Sequence, residues 1–368
     1  MNRMIFANLV HRPIRSLISV VAIAVEVTLI LVIVGFSLGM LNDAKQRQAG
    51  IGADVIVQPP SSSFLAGVTG APVPIKVAEI LRQLAHVETV APVIMQLNTT
   101  GAVEVIYGID LNSFENLRSG PFRFLAGGPF TGPDTALVDD YFADTNHVTV
   151  GQTITILNHP VKVAGIVEHG RGARKFLPIK TLQDWIGAEG KASVFYLKLD
   201  HPDNATLVVK EIKSVPGLQS YKVLPMREYL SMMTAGNLPG FNAFIDVVIG
   251  VAMVIGFIVI FQAMYAAVME RTREIGILKS LGASKGYIVQ VILRETLLMA
   301  LAGVVLGILL SLTTAEAIRH KFPTLRILIT NGWILRATLI AFAGAILGAI
   351  YPAFKAAQKD PVDALAYE

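Results

Sequence analysis

The stretch from Glu270 to Lys285 combines charged residues with regularly spaced apolar ones. Ile275, Leu278 and Leu281 recur every three residues, which predicts a short helix with these side chains near one face and charges around it. Gly282 predicts the end of that helix, and a second helix is expected to lead toward Arg294. A helix of this kind can lie at a membrane surface. A solvated amphipathic connector has the same pattern, so the residues alone leave both interpretations open.

Residues able to carry out catalysis do not form a recognisable set. The absence of cysteine excludes disulfides, thiolate nucleophiles and cysteine-based zinc sites, and the seven histidines are scattered. The sequence contains no G-x-x-x-x-G-K-[ST] phosphate loop, no H-E-x-x-H and no G-x-S-x-G. We therefore expect a non-catalytic chain that binds no cofactor and no metal.

Glu26 is the only formally charged residue in an otherwise apolar run from Leu17 to Met40. A carboxylate inside a membrane-spanning helix costs roughly 2.5–3.5 kcal/mol on insertion scales, and such residues usually face a bundle interior or a partner. We expect a polar contact at a dimer seam, or contact with substrate or a proton; a protonated or snorkelling Glu without a role is the alternative. Gly35 and Gly39 stand one turn apart in the same run, a spacing that favours close helix approach, and are predicted at a dimer interface.

The overall composition is that of a membrane protein. Of the 368 residues, 53% are hydrophobic and 16% charged, against about one-quarter charged in a soluble domain. Four apolar segments are each long enough, at about 20 residues or more, to cross a hydrocarbon core. They are Leu17–Met40, Phe244–Val268, Thr296–Ala317 and Trp333–Phe354. The first is longer than the apolar region of a signal peptide, which predicts an uncleaved anchor.

Lysine and arginine flank these segments. The net charge of +4 is therefore explained by the orientation of the spans in the membrane and does not indicate nucleic-acid binding. The positive flanks place both termini and the loop between the second and third segments in the cytoplasm. The short loop before the fourth segment carries three basic residues and disagrees with this assignment. The predicted basic flanks are Arg3, Arg12, Arg15, Arg271, Arg273, Lys279, Lys285, Arg294, Lys355 and Lys359.

The predicted domains are residues 1–42 (cytoplasmic segment and first span), 43–240 (outer domain) and 241–368 (three spans, loop and tail). The outer domain is expected to be an α+β fold of two small lobes, because the strand–helix–strand order appears twice. A β-hairpin is predicted from Gln152 to Val167 with its turn at 158–160. The basic stretch from Gly170 to Lys175 is expected to be a flexible, solvated loop, with contact to a partner protein or to anionic head groups as the alternative.

Three motifs together resemble the MacB-type (type VII, FtsX/LolC/DevC-like) ABC transporter permeases. They are RTREIGILKSLGASKGYIVQVILRETLLM after the second span, NLVHRPIRSLISVVAIAVEV at the first, and YPAFKAAQKDPVDALAYE at the end. The resemblance implies an α-helical membrane protein with four transmembrane helices and an inserted α+β periplasmic domain. It also implies that the loop docks on an ATPase. The contact residues carried over from the motif are Thr272, Arg273, Glu274, Ile275, Gly276, Leu278, Gly282 and Ala283.

The family resemblance implies a permease of the bacterial inner membrane, embedded in lipid, that moves with a separate ATPase dimer holding ATP and Mg²⁺. It implies a second permease chain, most simply a homodimer, and a periplasmic adaptor, with motion transmitted across the membrane to drive export or extraction. Alternatives are a LolC/LolE-like lipoprotein-release permease and an FtsX-like signalling scaffold that controls a cell-wall hydrolase. An intramembrane enzyme built on Glu26 is a remote alternative.

Overall fold

A computed structural model describes residues 13–62, 70–99, 104–117, 120–237 and 240–359. The chain divides into two compact units. The membrane unit comprises Met1–Gly39, Ala243–His320 and Arg326–Glu368, and the outer unit comprises Met40–Asn242 and Lys321–Leu325. Arg3, Arg12, residues 8–12 of the N-terminal motif and residues 360–368 of the C-terminal motif lie outside the described residues.

Helices and strands alternate along the outer unit, whereas the membrane unit is helical. The helices are α1 (Pro13–Ala49), α2 (Val77–Arg82), α3 (Leu111–Glu115), α4 (Asp140–Asn146), α5 (Ile179–Trp185), α6 (Ala205–Ser214), α7 (Met226–Met232), α8 (Phe241–Glu270), α9 (Thr272–Ser280), α10 (Lys285–Lys321) and α11 (Asn331–Gln358). The strands are β1 (Val55–Gln58), β2 (Val73–Pro74), β3 (Val87–Asn98), β4 (Glu104–Ile109), β5 (Phe124–Gly127), β6 (Thr135–Asp139), β7 (Thr153–Ile156), β8 (His159–Val167), β9 (Lys175–Pro178), β10 (Lys191–Ala192), β11 (Val194–Leu199) and β12 (Lys222–Pro225).

The four long helices α1, α8, α10 and α11 contain the four predicted spans, which confirms that prediction. Each is long and apolar enough to cross a membrane. Their bounds extend past the apolar runs because polar residues continue the same helices; α1 has 37 residues, about 55 Å at 1.5 Å per residue. That length exceeds a hydrocarbon core of about 30 Å. Thr330 begins α11 by accepting a hydrogen bond at Oγ1 from the backbone N–H of Trp333, at 3.4 Å.

Glycines let the long helices of the membrane unit pack closely. A side chain at Gly303 or Gly307 of α10 would overlap Ile23 or Val27 of α1, and one at Gly348 of α11 would press on Ile260 of α8. Apolar burial between helices is a weak driving force in lipid, so close backbone approach contributes much of the packing. Gly303, Gly307 and Gly348 therefore pack helices of the same chain against each other.

One mixed sheet runs through the outer unit in the order β12-β1-β11-β3-β4-β9-β6-β8-β5, with β7 paired to β8. The pairs β4–β9 and β6–β8 are parallel and the other pairs of this sheet antiparallel. A separate two-stranded sheet joins β10 to β2. Strands β1, β6 and β11 are buried at every residue, as expected for strands covered on both faces.

The two predicted lobes are the two halves of this continuous sheet. Apolar residues of α2 and α6 pack with β1, β3, β11 and β12 in one half. Residues of α5 pack with β4, β6 and β9 in the other. The predicted hairpin is present as β7–β8, but its turn is at Leu157 and Asn158, whose φ values are 51° and 66°. Two positive φ angles characterise the tight turn that matches strand twist.

Candidate functional site

The short helix α9 begins and ends as its sequence predicts. Thr272 Oγ1 donates to the carbonyl of Met269 at 2.8 Å, which holds the helix start against the end of α8. Gly282 has a φ of +93° and the N–H of Ala283 donates to the Leu278 carbonyl at 2.9 Å, so the left-handed residue closes the helix. Ser284 then accepts from the N–H of Tyr287 at 3.2 Å, one turn into α10. The predicted helix stop at Gly282 is confirmed.

The predicted contact residues divide between two faces of α9. Thr272, Ile275 and Gly276 are buried within the membrane unit, and Leu278 and Ala283 are half-buried. Arg273, Glu274 and Gly282 are exposed. The predicted common face of Ile275, Leu278 and Leu281 is wrong, because Leu281 lies past the helix end and is 80% exposed.

An exposed apolar pair lies beside those charges, and neither residue was among the predicted contact residues. Ile277 is 44% exposed and Leu281 80% exposed, one turn apart. Arg273 and Glu274 precede Ile277 by three to four residues and so share its side of the helix. The exposed surface of α9 and of the turn that follows it therefore contains Arg273, Glu274, Ile277 and Leu281. In the sequence, Ile277 and Leu281 follow Arg273 at intervals of four residues. This helical spacing indicates that the two apolar residues share a side with the charged one.

Two polar contacts fasten α9 to the neighbouring long helices. Arg271, just before α9, lies with Nη1 3.1 and 3.3 Å from the two carboxylate oxygens of Glu295 in α10. Glu295 is 4% exposed, so this ion pair is shielded from water. Lys279 Nζ donates to the carbonyls of Ala357, at 3.0 Å, and Lys359 at the end of α11. A cation at a helix C-terminus satisfies carbonyls that lack partners in the helix. A displacement of α9 would therefore pull on both α10 and α11.

Glu26 lies inside the helix bundle of its own chain. Its side chain is 3% exposed, and neither carboxylate oxygen has a hydrogen-bond partner among the described residues. The carboxyl group faces Gly256 of α8 and Gly344 of α11, where added side-chain carbons would collide with it or touch it.

Gly35 and Gly39 make room for a segment of the same chain. The N–H of Leu328 donates to the Gly35 carbonyl at 2.8 Å. A side chain at Gly39 would overlap the carbonyl of Arg326. The structure thus places the first glycine pair against residues 326–328, the segment that leads into α11.

The outer unit contains an ion-pair cluster at the end of α1 that the sequence analysis did not predict. Arg174 Nη2 lies 2.9 Å from Asp43 Oδ2, and its Nη1 lies 3.1 Å from Asp139 Oδ2. Arg47 pairs with Asp43, and the N–H of Gly172 donates to the Arg47 carbonyl at 2.8 Å. Burial raises the pKa of Asp139 to about 6, against the opposing effect of Arg174 and the Phe142 N–H.

Next to this cluster, Gln48 binds two buried tyrosines. Its Nε2 donates to Tyr107 Oη at 2.8 Å, and Tyr196 Oη donates to its Oε1 at 3.0 Å. Burial raises the pKa of both tyrosines. Since Tyr107 lies on β4 and Tyr196 on β11, the last turn of α1 is held in the core of the outer unit. These partners lie 59 and 148 residues from Gln48, so no local pattern identifies them.

The expectation of a flexible, solvated loop from Gly170 to Lys175 is wrong. Arg174 makes the ion pairs described above, and Lys175 Nζ lies 2.6 Å from Glu104 Oε1. Arg171 donates to the carbonyl of Gly120 at 2.7 Å and lies over the ring of Phe122, 4.9 Å from its centre. The basic residues are ordered because each meets an acceptor from a distant part of the chain.

Comparison with known families identifies both parts of the chain. Residues 16–215 match the MacB-like periplasmic core domain, and residues 247–361 match the FtsX-like permease C-terminal family. The first match covers more than half of the chain.

Individual relatives have low sequence identity to this chain, and two of them match it over almost its whole length. An uncharacterized ABC transporter permease, YknZ of Bacillus subtilis, is 26% identical over 401 aligned residues covering 100% of this chain and 98% of the relative. The macrolide export ATP-binding/permease protein MacB of Campylobacter jejuni is 23% identical, with coverage of 99% and 60%. The Escherichia coli K12 protein of that name is 28% identical, with coverage of 60% and 35%. The chain thus spans 35–60% of the length of these MacB relatives.

Two solved structures are similar to part of the chain. The extracellular domain of the noncanonic ABC-type transporter YknZ has a TM-score of 0.36 at 14% identity, covering 47% of this chain and 98% of that one. The periplasmic region of MacB from Actinobacillus actinomycetemcomitans has a TM-score of 0.38 at 15% identity, covering 50% and 94%.

Proposed function

The chain belongs to the family of ABC transporter permeases that carry a MacB-like periplasmic core domain, and from that membership we propose that it transmits motion across a membrane. Permeases of ABC transporters work with an ATPase, and ATP and Mg²⁺ are assigned to that separate subunit. In this proposal the chain itself catalyses no reaction. Closure of the ATPase dimer displaces α9, and the long helices carry the displacement to the outer unit.

The observation that carries the proposal is a set of polar contacts at two places, one at α9 and one at the end of α1. At one end, α9 is fixed to α10 by Arg271 and Glu295 and to α11 by Lys279. At the other, α1 belongs to the membrane unit up to Gly39 and continues into the outer unit, where Asp43 contacts Arg174 and Gln48 contacts Tyr107 and Tyr196. A continuous helix does not stretch, so a movement along its axis reaches the residues at its end.

The face of α9 that binds the ATPase is proposed to be Arg273, Glu274, Ile277 and Leu281. Ile277 and Leu281 supply exposed apolar area flanked by one positive and one negative charge. An apolar centre with a charged rim is the usual composition of a specific protein interface. Thr272, Ile275 and Gly276 are proposed to position this face from within the unit.

The assembly we propose contains two copies of this chain, an ATPase dimer and a periplasmic adaptor, in the bacterial inner membrane. The basic residues near α9 and the end of α11 support a cytoplasmic location for both. Export through the adaptor follows from the macrolide-export names of the MacB relatives. Lipoprotein release and control of a cell-wall hydrolase would use the same transmission with a different outer partner.

The proposal is tested by purifying the tagged full-length chain from its native membranes and identifying a bound ATPase by mass spectrometry. Leu281→Arg is expected to abolish copurification and Leu207→Arg to leave it unchanged, because Leu207 is an equally apolar, 53% exposed residue of the outer unit. Retention of the ATPase by Leu281→Arg would overturn the assignment of the docking face. Failure of the unaltered chain to retain any ATPase would overturn the transporter role.

A further inference from the structure

Glu26 is a buried carboxyl group that has no role in the proposed transmission of motion. It lies mid-way along the apolar part of α1 and is 3% exposed. Neither of its oxygens accepts a hydrogen bond within the described part of the chain. A buried carboxylate without partners is strongly unfavourable, whereas a neutral carboxylic acid is far easier to bury. Geometry alone therefore favours the protonated form.

The surroundings form a slot shaped for a carboxyl group. A side-chain carbon at Gly256 would lie 2.7 Å from Glu26 Cδ, too close for any residue other than glycine without displacement. At Gly344 the same carbon would lie 3.9 Å from Glu26 Oε1, in ordinary contact. Helices α1, α8 and α11 thus meet at this group. Glycine in a helix interior lowers helix stability relative to alanine, so Gly256 is explained by the space that the carboxyl needs.

Along the four described helices around the slot, no basic residue lies within one helical turn of it. The neighbouring segments are AIAVEVTLI at 22–30, AMVIGFIVI at 252–260 and IAFAGAILG at 340–348, and α10 contributes GVVLG at 303–307. Glu26 is the one titratable residue in these four described segments. The nearby hydroxyl of Thr28 donates to backbone carbonyls, those of Ala24 at 2.7 Å and Gly307 at 3.1 Å.

We propose that Glu26 is a proton-binding site whose occupancy is linked to the arrangement of the helices. The carboxyl group keeps its proton while α1, α8 and α11 enclose it, and it releases that proton to water when the three helices separate. The enclosed arrangement then takes up one proton per chain. An ionised Glu26 would favour the separated arrangement, because water or a polar partner must stabilise the charge.

Infrared spectroscopy of the full-length chain in lipid nanodiscs tests the protonation state directly. At neutral pH, the difference between the unaltered chain and Glu26→Gln should contain one carbonyl band of a protonated carboxylic acid, shifted in D₂O. If the missing band is instead that of a carboxylate, the proposal is overturned.

A second pair of variants keeps the test independent of replacing Glu26. Gly256→Ala should displace the carboxyl group and shift its acid band. Gly250→Ala in the same helix should leave the band unchanged, because nothing lies within 4 Å of the added carbon there. An unmoved band in Gly256→Ala would contradict the slot.

The link to helix arrangement is tested with two spin labels, which the cysteine-free sequence allows at chosen sites. Labels at Leu29→Cys of α1 and Val254→Cys of α8, both exposed, report the separation of these helices by pulsed EPR. Raising the pH until the acid band disappears should lengthen the distance in the unaltered background and not in Glu26→Gln. Deprotonation without lengthening, lengthening in both backgrounds, or an acid band that persists at every alkaline pH that leaves the chain folded would each overturn the link.

Discussion

Arg174 donates from Nη2 to Asp43 Oδ2 at 2.9 Å, which joins the loop before β9 to the end of α1 across 131 residues of sequence. The same guanidinium reaches Asp139, so Arg174 bridges two carboxylates, one of which also pairs with Arg47. The side chains of Arg174 and Asp43 are 16% and 15% exposed, which keeps the pair partly shielded from water. Within the outer unit, this ion pair therefore connects residues 40–49 of α1 to the loop before β9.

Replacing Arg174 with methionine should destabilise the outer unit by about 1–3 kcal/mol, since the buried carboxylate of Asp139 and the partly buried carboxylate of Asp43 then lose a charged hydrogen-bond donor. The measurement is urea unfolding of the full chain in nanodiscs, followed by Trp185 fluorescence in a Trp333→Phe background. Arg123→Met is the control. Arg123 is 73% exposed and pairs with Glu168 at 3.5 Å, so its loss should change the free energy by no more than about 0.5 kcal/mol. Equal effects of the two variants would contradict the role of Arg174.

The buried carboxyl of Asp139 should make the outer unit less stable as pH rises from about 4 to 6. Burial raises its pKa from 3.8 to about 6 in the folded chain. A raised acid pKa means that the folded state holds the proton more tightly than the unfolded state, so the stabilisation is complete below the unfolded pKa and is lost as pH rises through the folded one.

Asp139→Asn removes this titration while keeping an oxygen that accepts from the Phe142 N–H, a bond of 2.8 Å in the unaltered chain. The stability of the variant relative to the unaltered chain should therefore increase between about pH 4 and pH 6 and be constant above that range. The same fluorescence-detected unfolding, repeated across this pH series, gives the difference. A difference that is flat throughout would show that Asp139 titrates normally.

The elements that depend on local pattern could be predicted from the sequence, and those that depend on distant partners could not. The four spans, the hairpin β7–β8 and the stop of α9 at Gly282 each follow from residues that are consecutive in the sequence. The stretch from Gly170 to Lys175 has the composition of a solvated loop, and its burial follows from Asp43, Asp139 and Glu104, which local composition does not place beside it.

For the candidate site on α9, the sequence predicted the segment but not which of its residues are exposed. The motif identifies the segment, but a nine-residue helix has both a buried and an exposed side. Which side is buried depends on the rotation of α9 against α10 and α11, set by the contacts of Arg271 and Lys279. Periodicity alone therefore grouped Leu281 with Ile275, although the chain turns outward at Gly282.

Gln48→Leu should destabilise the outer unit by about 1–3 kcal/mol, because the buried hydroxyls of Tyr107 and Tyr196 lose their side-chain partner on α1. The hydroxyls lie 3.5 Å from each other, which is a weak substitute. Adding Tyr107→Phe and Tyr196→Phe to Gln48→Leu should restore much of the loss, since replacing all partners by apolar groups removes the unsatisfied atoms. The measurement is the free energy of unfolding in urea of the unaltered chain, Gln48→Leu and the triple variant. A triple variant less stable than Gln48→Leu would mean that packing, and not the hydrogen bonds, holds the helix end.

Gly39→Ala should destabilise the membrane unit, because the new methyl group overlaps the backbone carbonyl of Arg326 and backbone cannot rotate away as a side chain can. Overpacking of this kind typically costs about 1–3 kcal/mol. Gly250→Ala is the matched control in α8, where nothing lies within 4 Å of the added carbon. There the higher helix propensity of alanine should stabilise the chain by up to about 1 kcal/mol. Thermal unfolding in nanodiscs, followed by Trp333 fluorescence in a Trp185→Phe background, should therefore shift in opposite directions for the two substitutions. A stabilising Gly39→Ala would mean that the segment 326–328 does not rest on α1, and the first glycine pair would then be free to face a second copy of the chain.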